Sequence, residues 1–334
     1  MRFPFVLTTD LAKYVIKKKL AGEERFPLVM MLEPLHACNL TCTGCGRIRE
    51  YESTIREVIP VEKCLEAVEE CGAPMISICG GEPLIYKDIG RLVSELLARK
   101  KHIVLCTNGM FIRKRINEFT PDKRFAFNVH LDGMKRSHDL AVERDGVFDA
   151  AIDGIKCAKE HGFRVTSNTT VYVETDMKEI EALYEYLDTL GVDGYTLSPG
   201  YSYSAVQTKE IFLDRAMIRD KFRDIKRLAK RFPLYNTPIY TEFLAGDREL
   251  MCSAWGNPTY NVKGWRGPCY LMTDAHHDTF KDLLQKTPWD KYGYGRDPRC
   301  ENCLVHSGYE ASAATAKNAR FGDTWKMIAH TLLG

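Results

Sequence analysis

Eight residues near the start of the chain read Cys38-Asn39-Leu40-Thr41-Cys42-Thr43-Gly44-Cys45, a Cys-x3-Cys-x2-Cys loop. Thiolates are soft ligands that suit iron–sulfur clusters. Three of them can hold three irons of a [4Fe–4S] cube, and the fourth iron is then open to bind and reduce a ligand. Structural zinc is the competing use, but it normally takes four protein ligands. His36 could be a fourth, although it precedes the loop at the end of an apolar run, Leu28–Leu35. A second set, Cys252, Cys269, Cys300 and Cys303, includes a Cys-x2-Cys pair. Four thiols there suit an auxiliary iron–sulfur cluster or a structural zinc. Cys64 and Cys71 fall on an apolar helix stripe and read as core, and Cys157 shows no partner.

The bulk properties frame these sites. At 334 residues the chain is long enough for two average domains or one barrel with an extension. A hydrophobic fraction of 45% and a charged fraction of 28% are ordinary for a protein with a sizeable core. The net charge of +2 gives no sign of a nucleic-acid partner. The first 25 residues or so mix charged and apolar side chains and do not read as a secretory signal. With twelve cysteines, that points to a reducing, cytoplasmic compartment and to metal or redox chemistry. No stretch is apolar for long enough to span a bilayer.

The elements that must position the thiols alternate. Strand-like runs are Leu28–Leu35, Met75–Cys79, His102–Thr107, Phe125–Leu131, Arg164–Val173 and Gly194–Ser198. Between them, sets such as Cys64/Leu65/Val68/Cys71 and Ile180/Leu183/Leu187/Leu190 recur at helical spacing, the latter closed by Gly191 as a C-cap. Six strand–helix alternations predict parallel strands with right-handed crossovers, hence an α/β fold with a partial (β/α)6 barrel. Residues 28–200 would form the barrel and 201–334 a C-terminal extension, with a helix expected over about Lys209–Arg231. Residues 1–27 offer a basic amphipathic helix, Asp10–Leu20, suited to capping the barrel or lying on an anionic membrane. Active sites on such barrels lie at the C-terminal ends of strands, where every motif here falls.

Gly80-Gly81-Glu82-Pro83 ends the second predicted strand, roughly 40 residues after the cysteine loop. Together the two motifs resemble the radical SAM superfamily, in which the Gly-Gly-Glu-Pro segment binds the methionine amino group of S-adenosylmethionine (SAM). Glycines would let the backbone approach a ligand closely, and Glu82 would face the cationic amine. His130-Leu131-Asp132-Gly133 resembles the superfamily's fourth-strand segment, and Ser167, Asn168 and Thr169 are polar on the fifth strand. Strand alternation lets only some of these three point inward, and Asn168 is favoured. The candidate SAM contacts are therefore Gly80, Gly81, Glu82, Pro83, Asp132, Asn168 and Ser198. The resemblance implies that one electron passed through the cluster cleaves SAM to methionine and a 5′-deoxyadenosyl radical, with the protein orienting the cofactor and excluding quenchers.

Further segments narrow the resemblance: Tyr195–Tyr203, Phe243-Leu244-Ala245-Gly246, Trp255–Thr259, Pro268-Cys269-Tyr270-Leu271 and His306–Ala311. Over residues 10 to 315 or so the chain is similar to the adenosylhopane synthase family of hopanoid biosynthesis. That family usually reads His-Cys-Gly-Tyr-Glu where Ser307 stands here. The resemblance implies an adenosyl transfer in which the 5′-deoxyadenosyl radical adds to the terminal alkene of diploptene, giving adenosylhopane on the way to C35 hopanoids. Other readings are a paralogue acting on another terminal-alkene lipid and a radical SAM peptide-modifying enzyme. Addition leaves a tertiary carbon radical that must receive a hydrogen atom, and a thiol supplies one readily. Cys106, at the end of the third predicted strand, is the proposed donor, and Cys79 is its rival. Tyr201, Tyr203, Trp255 and Trp265 are candidates to line a hydrocarbon pocket. The expected partners are a hydrophobic triterpene, a flavodoxin or ferredoxin-type electron donor and, peripherally, the inner face of the cytoplasmic membrane.

Overall fold

The computed structural model describes residues 5–315 and 320–333. Six short runs form the parallel strands β1 (Val29–Leu32), β2 (Met75–Ile78), β3 (His102–Thr107), β4 (Phe125–His130), β5 (Arg164–Val171) and β6 (Gly194–Pro199). They pair side by side in chain order, all parallel. The intervening helices follow from their stripes. Helix Val61–Cys71 buries Val61, Cys64, Leu65, Val68 and Cys71 against the sheet. Helix Met177–Thr189 starts where Asp176 accepts a hydrogen bond from the Lys178 amide. Strand β4 shows the alternation: Phe125, Phe127 and Val129 are fully buried, whereas Asn128 and His130 are half-exposed.

The sheet does not stop at β6. Three further strands, β7 (Thr259–Asn261), β8 (Gly264–Pro268) and β9 (Thr273–His277), continue it on the far side of β1. Strand β7 runs parallel to β1, and the hairpin β7–β8 and strand β9 follow antiparallel. The C-terminal extension thus completes the barrel's open β1 edge instead of only packing on it, which removes an unpaired strand edge. The helix expected over Lys209–Arg231 is two helices, Arg215–Lys221 and Ile225–Arg231. A tight turn between them, with Arg223 N–H to Asp220 and Ile225 N–H to Phe222, brings Phe222, Ile225 and Leu228 all inward.

The first helix, Phe5–Leu20, lies across the N-terminal end of the sheet. Asp10 reaches His102 at 2.9 Å and Arg124 at 3.7 Å, at the beginnings of β3 and β4, and Tyr14 packs on Phe26. Its outer side carries Lys13, Ile16, Lys17 and Leu20, all exposed. Among the described residues no helix is long and apolar enough to cross a membrane.

Candidate active site

The C-terminal ends of β1–β6 surround a cavity of about 280 Å³. Cys38, Cys42 and Cys45 reach it from the loop after β1. All three are free thiols, partly exposed to the cavity. Burial pushes the Cys38 thiol up to about 11 and raises Cys42 further. Thiols so reluctant to ionise need a metal to displace their protons. The loop is shaped for that. The Leu40 amide donates to Cys38 Sγ at 3.4 Å, and the Cys45 amide closes the Cys-x2-Cys turn onto the Cys42 carbonyl at 3.1 Å. Tyr172 and Tyr203 press on the loop's glycines, where a Cβ would come within 2.2 Å of Tyr172 Oη at Gly44 and 2.8 Å of Tyr203 at Gly46. These three thiols fit an iron–sulfur cluster, for which Cys38, Cys42 and Cys45 would be the protein ligands.

Gly80 and Gly81 line the cavity and also make a second close contact, with neighbouring backbone. A Cβ on Gly80 would lie 2.3 Å from the Leu35 carbonyl, and one on Gly81 1.9 Å from the Ala37 carbonyl. The glycines let the end of β2 pass the backbone of the cluster loop, to which Gly81 and Glu82 donate at 3.2 and 2.9 Å. Gly80 also requires its positive φ of +116°. Glu82 is almost wholly buried, and its carboxylate accepts from the Leu84 and Asn108 amides and the Thr107 hydroxyl. Burial outweighs these donors and raises it to about 7. Pro83 begins a buried turn and does not line the cavity.

On the other strands, Cys106, Asn128, His130, Asn168, Thr170 and Ser198 line the cavity. Register aligns them: Cys106 pairs with Asn128, His130 with Asn168, and Thr170 with Ser198. Ser167 and Thr169 are fully buried on the opposite face. Asp132 does not line the cavity either. It takes His130 Nε2 at 2.8 Å and the Thr170 amide at 2.7 Å, so it orients the residues that do. Burial would lower His130, but the Asp132 carboxylate outweighs it and the net shift is upward. Cys106 has Ser77 Oγ at 3.4 Å and receives Asn128 Nδ2 at 3.6 Å. Burial raises its thiol, so it stays protonated. Ser198 Oγ accepts the His306 amide at 3.4 Å, tying β6 to the C-terminal segment.

Several cavity residues were not named from the sequence as cluster or SAM contacts. Arg47 stands behind the cluster loop, 3.1 Å from the fully buried Glu33, and lies over the Tyr270 ring at 4.2 Å. Tyr172, Tyr270 and His306 also face the cavity. Of the aromatic residues proposed for a hydrocarbon pocket, Tyr201 and Tyr203 line this cavity. Trp255 is not: it lines a separate space with the second cysteine set. Trp265 is core, fully buried with its indole N–H on Glu70. Past Tyr201, Tyr203 and Leu271 a second cavity of about 430 Å³ opens, lined by Phe212, Leu213 and Met272 and also by Lys209, Asp214 and Arg299.

Three cavity-lining thiols beside a glycine-braced strand end, inside a parallel partial barrel, form an arrangement able to hold an iron–sulfur cluster. Residues 32–187 match the Radical SAM superfamily, and this part of the chain belongs to it. Residues 195–327 match a domain of unknown function, DUF3463. Membership implies a [4Fe–4S] cluster and SAM, and the chain is a radical SAM enzyme. The GTP 3′,8-cyclase of Petrotoga mobilis is 26% identical over 71% of this chain and 79% of its own length. The Fe-coproporphyrin III synthase of Methanosarcina barkeri is 26% identical over 45% of this chain and 38% of its own. A GTP 3′,8-cyclase 2 of Pseudomonas aeruginosa is 32% identical over 45% and 47%. Apart from the Petrotoga protein, the chain spans about half or less of these relatives' length. None of these three names concerns hopanoids. In fold, the chain is similar to Streptococcus suis SuiB bound to its precursor peptide, with TM-score 0.65, 16% identity, and coverage of 92% of this chain and 77% of that one. It is also similar to anSMEcpe with bound AdoMet, with TM-score 0.59, 14% identity, and coverage of 92% and 99%.

Proposed function

We propose that this enzyme adds the 5′-deoxyadenosyl group of SAM to the terminal alkene of diploptene, forming adenosylhopane. Residues 28–200 act as the catalytic barrel, with 201–334 closing it and holding the hydrocarbon. The observation that carries the reading is Cys106: a protonated thiol on the cavity wall, reached by the same cavity as the cluster cysteines and the Gly-Gly-Glu-Pro segment. The motifs of residues 195–203 and 306–311 add the resemblance that names the substrate.

When bound, the cluster and SAM supply the 5′-deoxyadenosyl radical by one-electron reduction of the sulfonium. Gly80, Gly81, Glu82, Asn168 and Ser198 hold SAM, and Asp132 keeps His130 in place. The new C–C bond forms at the substrate's terminal CH2, leaving a tertiary radical. Cys106 gives that carbon its S–H hydrogen atom and becomes a thiyl. A second electron and a proton restore the thiol, so each turnover takes two electrons from a flavodoxin or ferredoxin-type donor and one proton from solvent. Tyr201 and Tyr203, with Phe212, Leu213, Leu271 and Met272 beyond them, offer the apolar surface that a triterpene needs. The Lys13, Ile16, Lys17 and Leu20 stripe supports peripheral contact with an anionic membrane.

The test is to incubate the reconstituted, reduced protein with SAM and diploptene and to look for the adenosylated adduct by mass spectrometry. Release of free 5′-deoxyadenosine with an oxidised substrate, or an adduct only with another alkene or a peptide, would overturn the proposal.

A further inference from the structure

Cys252, Cys269, Cys300 and Cys303 come from three separate segments and converge on one small space beside the SAM cavity. Apart from the thiols, its lining is mostly aromatic or aliphatic, including Trp255, Pro268, Trp289 and Tyr309. Its free volume of about 40 Å³ would admit roughly three waters. Such a wall offers water few hydrogen-bond partners, and the space is larger than one ion occupies. None of the four thiols is in a disulfide.

The local backbone repeats that of the Cys38–Cys45 loop. The Leu271 amide donates to Cys269 Sγ at 3.4 Å, as the Leu40 amide does to Cys38 Sγ at 3.4 Å. The Cys303 amide closes its Cys-x2-Cys turn onto Cys300 at 3.2 Å, as Cys45 does onto Cys42 at 3.1 Å. Opposite them, Gly308 leaves room for sulfur: a Cβ there would lie 2.4 Å from Cys252 Sγ. Among the described residues no three His, Cys, Asp or Glu side chains close to the spacing of a single ion's ligands. That is as true of the Cys38–Cys42–Cys45 triad as of this set, and a cluster holds its thiolates further apart than one ion does.

We infer that Cys252, Cys269, Cys300 and Cys303 bind a second [4Fe–4S] cluster, ligated by four thiolates. With every iron covered, this cluster has no site for SAM. Tyr201, Tyr270 and Leu271 line both its chamber and the SAM cavity, so it braces the wall between them.

The test is reconstitution with ferrous iron and sulfide, without oxygen, of the wild type and of the Cys38→Ala/Cys42→Ala/Cys45→Ala variant. The variant is expected to retain about four irons and four sulfides per chain. After reduction, its paramagnetic resonance signal should not respond to SAM. Adding Cys300→Ala and Cys303→Ala should remove that iron. A triple variant that folds but binds no iron, or that carries zinc from a medium containing both metals, overturns the inference. Should the variant not fold, the wild type decides. About eight irons, with only half of the reduced spins shifted by SAM, support two clusters. About four irons, all of them responsive to SAM, refute the second. No count uses a substrate, so a failed diploptene assay leaves the result intact.

Discussion

Replacing Glu82 by Gln separates what its carboxylate costs from what it does. Burial raises this group from its ordinary 4.5 to about 7 although three donors face it. A raised acid binds its proton more tightly in the folded state. Its contribution is therefore most favourable below about pH 4.5 and is lost as pH rises toward about 7. By linkage, the wild type should lose about 2 kcal/mol relative to Glu82→Gln between about pH 5.5 and about pH 8. The variant has its own fixed penalty: its oxygen can keep Leu84 and Thr107, but its NH2 then meets the Asn108 N–H. Because that term does not titrate, the change in the difference with pH isolates the carboxylate. Denaturant unfolding of both SAM-free proteins at the two pH values measures it. SAM affinity should move the other way, falling in Glu82→Gln at about pH 8, where the ionised carboxylate would face the methionine amine. A stability difference that stays constant across this pH range would refute the buried, raised carboxylate.

Three further outcomes are expected. Cys106→Ala should still cleave SAM but lose the reduced adduct by about 100-fold or more, since no other thiol on the wall shares Cys106's hydrogen bonds to Ser77 and Asn128. Mass spectrometry of the products checks this, and unchanged adenosylhopane formation would exclude Cys106. Gly81→Ala places a Cβ 1.9 Å from the Ala37 carbonyl, an overlap with backbone that should cost about 3 kcal/mol or more and lower the iron content with the melting temperature. Asp132→Asn removes the carboxylate that raises His130, so the His130 imidazole should titrate at lower pH than in the wild type; an NMR titration that does not move would refute the pairing.

How much of this was legible beforehand depended on range in the chain. The Cys38–Cys45 loop is local chemistry: its spacing and the apolar run before it define a thiol loop at a strand end, whatever surrounds it. The six parallel strands were equally readable, because period-2 and period-3.6 patterns record which side chains must be buried. What those patterns could not carry is where distant segments meet. Asn168 rather than Ser167 or Thr169 faces the cavity because pairing with β4 and β6 sets the register. Gly80 and Gly81 are needed by the neighbouring backbone, a contact across strands that no one-dimensional pattern records. Trp255 and Trp265 were indistinguishable as types, yet packing sent one to the thiol chamber and the other to the core. The convergence of Cys252 and Cys269 with Cys300 and Cys303 rests on β7–β9 joining the sheet at β1, and that joining is a tertiary event. Sequence alone thus determined the reactive thiols and the strand ends that bear them, through local sterics and hydrophobic period. Only long-range pairing decided which side chains share a cavity, because burial satisfies backbone groups between segments far apart in the chain.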